Sequence, residues 1–263
     1  MKLRKLNKFF FRLFIVICLV ATSYPAFSEP VVKIAVGNFP PWVYMDGNDV
    51  RGADYDLIVK ILDRMHIKYE SEPMIFSDII EGLKEGTVDI SSGLFYREDR
   101  DKYIQYVSPP LRTRNMKGFY VLRSGNVHIS KYNDLLGRRV AVCSGVRYFP
   151  VFDVDHRIEK VQTTSLEESL DLLLNKRVDV VASGLLLADS VISSLGMRDK
   201  VIRSDFVYNP RSAPSYLGIS RKSFLLERSE ELGAVLKLFQ KNGEQERIMR
   251  KYLGADADKY LIK

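Results

Sequence analysis

The sequence predicts an α/β protein of two similar lobes, each a mostly parallel sheet flanked by helices. Short runs rich in Val and Ile alternate with helical patterns along the 263 residues, which is typical of successive βαβ units. The second half also repeats pieces of the first half. Val-Lys-Ile-Ala-Val-Gly from Val32 matches Arg-Arg-Val-Ala-Val-Cys from Arg138, and Gly-Thr-Val-Asp-Ile-Ser-Ser-Gly from Gly86 matches Lys-Arg-Val-Asp-Val-Val-Ala-Ser-Gly from Lys176.

The first half reads as strand, helix, strand, helix and strand. Apolar residues between Leu57 and Met65 recur at helical spacing, so they predict one buried helix face. Short β-branched runs on either side predict strands. In order, we expect a strand over 33–37, a helix over 56–65, a strand near 68–72, a helix over 77–84 and a strand over 88–91.

The second half has the same order of elements. Ser165 followed by Glu168 is the spacing of a capping box and predicts the start of a helix. We expect strands over 139–143, near 158–161 and over 178–182.

Two crossings between the lobes follow from the same pattern. The chain passes to the second lobe before a strand over 119–123 and returns, after Pro210 and Pro214, in a strand over 216–220. Helices over 225–241 and 243–252 then pack back on the first lobe. The prediction is a signal peptide over 1–28, a first lobe of 29–115 and 213–263, a second lobe of 116–212, and a hinge near 112–119 and 210–216.

The N-terminus predicts export. Five basic residues precede nine apolar ones over 13–21, and Ala26-Phe27-Ser28 follows, which is the pattern of a cleavable secretory signal peptide. A membrane anchor is the alternative, but a span needs roughly 20 apolar residues. Without its five basic residues the chain keeps 35 Lys and Arg against 33 Asp and Glu, a net charge of +2, so its charge gives no reason to expect a nucleic-acid partner. We expect a periplasmic monomer whose only remaining cysteine, Cys143, cannot form an intrachain disulfide.

Catalytic motifs are weak in this chain. Cys143, His156 and either Asp153 or Asp155 suggest a nucleophile with a base, but a lone Cys ending an apolar strand is more often a small buried side chain. The three histidines lack metal-ligand spacing, and we find no glycine-rich phosphate loop. We therefore expect no catalytic residue, no metal and no cofactor.

The order and spacing of several segments resemble family 3 of the extracellular solute-binding proteins, the periplasmic components of polar amino-acid ABC importers. The resemblance covers roughly residues 31–253. It implies the type II periplasmic-binding fold, a clamshell that closes over a small ligand and docks on an inner-membrane permease. The segments are Phe39-Pro-Pro-Trp42, Arg51-Gly-Ala-Asp-Tyr-Asp-Leu57, Val88-Asp-Ile-Ser-Ser-Gly93 with Arg100, Tyr106-Val-Ser-Pro-Pro-Leu111, Asp134-Leu-Leu-Gly-Arg-Arg-Val-Ala-Val142, Val178-Asp-Val-Val181, Tyr216-Leu-Gly-Ile-Ser220 and Lys251-Tyr-Leu253.

The resemblance assigns the ligand carboxylate to Arg100, at the end of the family's Thr-x-x-Arg segment. A guanidinium suits this role because it offers a planar fork of donors and stays charged in a partly desolvated cleft. Arg97, where the family has threonine, is either a second donor or a surface residue. The alternative for Arg100 is an exposed ion pair in its charged segment, which would contribute little.

Two departures from the family pattern put recognition of an α-amino group in doubt. Ser144-Gly-Val-Arg147 replaces a hydroxyl-rich segment, and Ser183 with Gly184 stands where an aspartate normally takes the ligand ammonium. The ligand is then an amino acid or a related organic acid that bears a carboxylate. Arg147 is either a second anion contact or a solvent-facing helix start.

The remaining site candidates are aromatic and small residues near strand ends. Trp42 and Phe95 are predicted as cleft walls, with Tyr44 a further candidate, because rings supply apolar area at low entropy cost. Gly93 suits a backbone that approaches the ligand closely.

Two other functions fit the same fold. One is a ligand receptor for a sensor kinase or chemoreceptor. The other resembles periplasmic cyclohexadienyl dehydratase, a lyase that needs a cleft acid, for which Glu98 and Asp99 are the nearby candidates.

Overall fold

The structure is a computed structural model that describes residues 30–210 and 213–261. The predicted signal peptide over 1–28 lies outside the described residues. From Val31 onward the chain forms one compact unit. None of the helices in the described residues is long and apolar enough to cross a membrane.

The chain builds two five-stranded sheets and a small hairpin. The strands are β1 Val32–Val36, β2 Tyr44–Asp46, β3 Asp49–Arg51, β4 Tyr69–Pro73, β5 Ile90–Phe95, β6 Ile104–Tyr106, β7 Lys117–Leu122, β8 Arg139–Cys143, β9 Glu159–Thr163, β10 Val180–Gly184, β11 Val201–Tyr208 and β12 Ser215–Ser220. The α-helices are α1 Ala53–Arg64, α2 Phe76–Glu85, α3 Glu98–Asp101, α4 Pro150–Val154, α5 Leu166–Leu174, α6 Leu185–Ser194, α7 Ser229–Lys241 and α8 Glu244–Leu253. Short 3₁₀ helices cover Tyr132–Leu135, Phe224–Arg228 and Gly254–Lys259.

The two sheets have the same topology. The first sheet has the order β4-β1-β5-β12-β6, and the second read from its far edge has the order β9-β8-β10-β7-β11. In each sheet four strands run in one direction, and one strand, β12 or β7, runs against them. The prediction of two similar lobes with mostly parallel sheets is confirmed, and the reversed strand in each lobe is the one that follows a crossing.

Alternation along the strands gives each sheet two buried faces. In β1, Val32, Ile34 and Val36 pack with α1, α7 and α8, while Ala35 faces α2. In the second sheet, one face packs with α4 through Phe152 and the other with α5 and α6. Helices therefore cover both faces, which explains why these strands read as continuous apolar runs.

Two strands begin later than predicted, for the same reason in both lobes. β5 begins at Ile90 and β10 at Val180. The aspartate before each strand, Asp89 or Asp179, bonds to the neighbouring strand through its side chain as well as its backbone. Asp89 Oδ2 accepts from the Lys33 backbone N–H at 2.7 Å, and Asp179 Oδ2 accepts from the Arg139 N–H at 2.9 Å. The repeated Val-Asp pair thus fixes strand register in each lobe.

The predicted helix over 225–241 is two elements in the structure. The Ser223 hydroxyl accepts from the Leu225 N–H at 3.0 Å and starts a 3₁₀ turn. Arg228 then leaves helical geometry at φ −103°, and α7 begins at Ser229. The change of backbone geometry at Arg228 thus separates the turn from the helix.

The two crossings run side by side. The Ser215 N–H donates to the Arg112 carbonyl at 3.0 Å, and the Ala213 N–H donates to the Thr113 carbonyl. Paired extended segments of this kind connect the two sheets.

Candidate ligand-binding site

A cavity of about 190 Å³ lies between the two sheets. The carboxyl ends of β5 and β10, the residues after β1 and β8, and the starts of β7, α5 and α6 contribute to it. Its charged lining is one acid and five bases: Asp54, Arg97, Arg100, Arg112, Lys117 and Arg147. Such a lining favours an anionic ligand.

Arg100 lies in the cavity wall and is 5% exposed. It belongs to α3, directly after β5, and its Nη2 donates to the Gly145 carbonyl of the second lobe at 2.9 Å. The Phe76 ring lies 5.8 Å from the guanidinium carbon. Burial, and secondarily Arg97, lowers the pKa of Arg100 from its usual value. The side chain is therefore held between the lobes, with further N–H groups left for a ligand.

Arg97 also lines the cavity, but its charge is already paired. Its Nε donates to Asp99 Oδ1 at 2.7 Å, and its Nη2 contacts Asp99 Oδ2. Arg97 lowers the pKa of the Asp99 carboxyl, and Asp99 is exposed. This geometry matches the surface ion pair more closely than a second ligand donor.

Seven of the nine predicted site residues come together around the cavity. Besides the two arginines above, they are Trp42, Gly93, Phe95, Arg147 and Ser183. Ser144 and Tyr44 are not in the lining. Ser144 continues the ladder between β8 and β9 through its backbone N–H, which donates to the Thr163 carbonyl, and Tyr44 lies in the β2–β3 hairpin.

A buried ion pair forms part of the lining that sequence reasoning missed. Arg112 Nη1 donates to Asp54 Oδ1 at 2.6 Å, and the two side chains are 5% and 6% exposed. The Arg112 guanidinium lies 3.8 Å from the Trp42 ring centre. Asp54 Oδ2 and Arg112 Nε have no partner among the described residues.

Gly93 is the residue that leaves room for this pair. It has φ +72°, and a Cβ there would lie 3.4 Å from Arg112 Nη2 and 3.7 Å from Asp54 Oδ2. Its missing side chain therefore exposes the charged pair to the cavity.

Lys117 is a further lining residue that sequence reasoning missed. It opens β7, is 7% exposed, and its Nζ lies 4.9 Å from the Phe95 ring centre and 5.8 Å from that of Tyr148. Burial lowers the pKa of Lys117 to about 8. The only sequence signal was a charged residue immediately before the apolar run that starts at Gly118.

Much of the cavity wall is apolar. The second lobe contributes three leucines at the start of α6, Leu185, Leu186 and Leu187. They follow Ser183 and Gly184, which stand where the family resemblance leads us to expect an aspartate. Tyr260, after the last 3₁₀ helix, lines it from the first lobe and contacts Trp42 edge-on at 5.3 Å. The cavity thus combines positive charge with apolar surface.

Cys143 lines the cavity without the properties of a nucleophile. Burial, helped by Glu167 and Glu168, raises the pKa of its thiol to about 11. Its Sγ lies 3.6 Å from the Thr164 carbonyl oxygen. A thiolate is the reactive form of cysteine, so this thiol is inert near neutral pH.

The family model of bacterial extracellular solute-binding proteins, family 3, matches residues 32–255. The chain belongs to this family. The predicted resemblance is confirmed over nearly all of the described chain.

Relatives of this solute-binding protein are distant. A probable histidine-binding protein of Campylobacter jejuni is 23% identical over 153 residues, and the match spans 56% of each chain. The probable amino-acid-binding protein YxeM of Bacillus subtilis is 20% identical over 226 residues, 84% of this chain and 83% of YxeM. The solved structure of an ancestral arginine-binding protein bound to glutamine has a TM-score of 0.73 at 23% identity, covering 85% of this chain and 98% of that one. This likeness shows the two-lobed fold.

The family 3 site of this chain differs from its predicted composition mainly on the second lobe. The prediction placed Arg147, Ser144 and Ser183 there. The structure adds a buried lysine and three leucines, and it supplies an acid, Asp54, from the first lobe. Glu98 and Asp99 were the acids expected near the cleft, and neither is in the lining.

Proposed function

We propose that this chain is the periplasmic substrate-binding protein of an ABC-type importer and that it binds a small carboxylate-bearing solute by clamshell closure. Membership of family 3 supports a solute-binding role. The descriptions of its relatives as histidine-binding and amino-acid-binding proteins support a small ligand of that size. The observation that carries the proposal is the cavity between the lobes, with five bases and one acid in its lining.

Arg100 is the proposed primary contact for the carboxylate. Its guanidinium is buried, so an ion pair with the ligand would be less screened than one in bulk water. Trp42, Phe95 and Gly93 shape the same wall, and Arg147 and Ser183 approach from the second lobe.

Closure is supported by contacts that join the lobes at the cavity rim. Asn38 Nδ2 donates to Glu167 Oε1 at 2.8 Å, and Arg100 donates to Gly145. In the proposed sequence of events the ligand first binds the first lobe, and the second lobe then adds contacts available only in the closed state. A ligand shifts the equilibrium by the difference in its affinity for the two states, and these late contacts supply that difference.

Location and partner follow from the same proposal. The predicted signal peptide directs the chain to the periplasm, where it would act as a monomer and deliver its solute to an inner-membrane permease. N-terminal sequencing of the protein recovered from the periplasm tests this: a mature chain beginning near Glu29 is expected.

The experiment is a thermal-unfolding screen of the purified protein against amino acids, dicarboxylates and other organic acids. A ligand at 100 times its dissociation constant adds about 2.7 kcal/mol and should raise the midpoint by several degrees. Arg100→Ala should abolish the shift while the protein stays folded, whereas Arg64→Ala, at an exposed arginine of α1, should keep it. A full shift in Arg100→Ala would refute the assigned contact. Conversion of the bound compound into a product would refute a purely binding role.

A further inference from the structure

Among the described residues, Lys117 is a buried charge with no hydrogen-bond or ion-pair partner. Its side chain is 7% exposed and lines the cavity. It makes no hydrogen bond and no ion pair within 4.0 Å among the residues that the structure describes. The rings of Phe95 and Tyr148 are its only close favourable contacts. A desolvated ammonium is costly unless an anion approaches it.

The charged groups around Lys117 explain why it remains unpaired. Arg112, near the first crossing, repels its charge, and Asp153 on α4 attracts it from beyond ion-pair distance. Asp153 is itself engaged, because its Oδ1 accepts from the Tyr148 N–H at 3.1 Å and its carboxylate also interacts with Arg147 and Lys160. Tyr148 contributes a neutral ring, since burial raises the pKa of its hydroxyl above the usual value. Of the other charged residues in the lining, Arg97 and Arg100 are cations, and Asp54 is bound to Arg112.

We propose that Lys117 Nζ binds an acidic group of the ligand and that the natural solute is an organic acid with an apolar body and no α-ammonium group. This inference rests on the proposed solute-binding function and narrows its ligand class. Lys117, on β7, and Arg100, on α3, each stand against a different aromatic ring, Phe95 and Phe76 respectively. The cavity therefore offers two cationic positions, each beside an aromatic ring, in a lining that also includes apolar side chains.

The same lining is unfavourable for an ammonium group. Its one acid, Asp54, already neutralises Arg112 at 2.6 Å. Ser183, Gly184 and the leucines that follow supply no negative charge on the second lobe. An ammonium placed there would face Arg100 and Lys117, two buried cations with no ion-pair partner among the described residues, so an acid lacking that group should bind more strongly than its amino-acid counterpart.

Acetate probes the Lys117 position directly. In protein labelled with ¹³C-lysine, the Cε resonance that disappears in Lys117→Met reports the titration of Lys117. We expect a midpoint near pH 8 without acetate, and a higher midpoint with acetate, because a nearby anion favours the charged amine. An unchanged midpoint would overturn the inference whatever the natural solute is.

Matched compounds then test the ligand class. The pairs are glutarate with L-glutamate, 4-methylpentanoate with L-leucine, and 3-phenylpropionate with L-phenylalanine, each measured by calorimetry. For the pair that contains the tightest-binding compound, we expect the acid to bind more tightly than the amino acid. Lys117→Met should weaken binding of that acid by at least about tenfold, or 1.4 kcal/mol. Lys160→Met is the control, because Lys160 also lies over a ring, Phe152 at 5.2 Å, but outside the cavity lining.

The outcomes separate the inference from the proposed function. Binding of amino acids alone, with full affinity in Lys117→Met, would overturn the inference and keep the proposed function. An acetate effect on Lys117 without binding of any compound in the screen would support the anion position and refute the proposed solute class.

Discussion

The Asp54–Arg112 ion pair joins two buried charges in the cavity lining. Both charges are almost fully buried, so each depends on the other. We expect Asp54→Asn to lower the free energy of unfolding by about 3–5 kcal/mol, because it leaves the Arg112 guanidinium buried and uncompensated. Urea unfolding measures this loss. The double variant Asp54→Asn with Arg112→Met should recover part of it, and a further additive loss would contradict the paired assignment.

The second prediction at this scale concerns Lys117 and pH. Its pKa is about 8 in the folded protein, against 10.5 as the usual value, so between pH 8 and 10.5 the unfolded chain binds more protons than the folded one. Stability from this group therefore rises with pH through that window, and the full penalty applies below pH 8. We expect Lys117→Met to be more stable than the wild type by up to about 3 kcal/mol at pH 7, with little difference by pH 10.5. Urea unfolding of both proteins at both pH values measures it, and an equal difference at pH 7 and pH 10.5 would contradict the prediction.

The site residues that could be predicted from the sequence lie in or next to the family-like segments. The resemblance assigned Arg100, and positions near predicted strand ends suggested Trp42, Gly93 and Phe95; all four line the cavity. Lys117 and Tyr260 reach it only because distant segments pack together, one from a reversed strand and the other from the C-terminal turn. No spacing along the chain encodes such contacts.

At the scale of elements, local pattern predicted the existence of strands and helices better than their ends. The start of α5 illustrates this. Ser165 caps the helix by accepting from the Glu168 N–H at 3.1 Å, as predicted. The Glu168 carboxylate, however, accepts from the Thr164 N–H rather than from that of Ser165, so only half of the capping box forms. The Thr164 hydroxyl and backbone N–H both donate to the Glu168 carboxylate, so they take the place of the Ser165 N–H.

Helix α7 gives a prediction in which packing opposes helix propensity. Gly233 lies within this helix, where alanine would favour the helix by about 1 kcal/mol. A Cβ at Gly233 would overlap the Ser108 carbonyl oxygen, which is backbone and cannot rotate away. We expect Gly233→Ala to lower the free energy of unfolding by about 1–3 kcal/mol. Chemical denaturation checks it, with Lys237→Ala on the exposed side of α7 as a near-neutral control. Stabilisation by Gly233→Ala would mean that α7 stands farther from the segment after β6 that contains Ser108.

At the scale of the whole molecule, the repeated topology explains why the fold could be predicted from so few motifs. The sequence echoes between the halves mark the same strands, β1 with β8 and β5 with β10, at the same positions in each sheet. The cavity lies between two copies of one arrangement, and its chemistry depends on where the copies differ. The apolar start of α6 and the unpaired Lys117 are such differences, and both lie on the second lobe.

The last prediction tests closure of the two lobes. The Asn38–Glu167 hydrogen bond joins them at an exposed rim, so it should form only when the lobes approach. We expect Asn38→Ala and Glu167→Ala each to weaken binding of the best-stabilising compound by about two- to fivefold, with no further loss in the double variant. The free energy of unfolding should stay unchanged, because the open state lacks this contact. Calorimetry measures the affinities, and Glu159→Ala, an exposed acid on β9, is the control. Additive losses, or a loss of stability without a loss of affinity, would show that the contact belongs to the folded state itself rather than to its closed form.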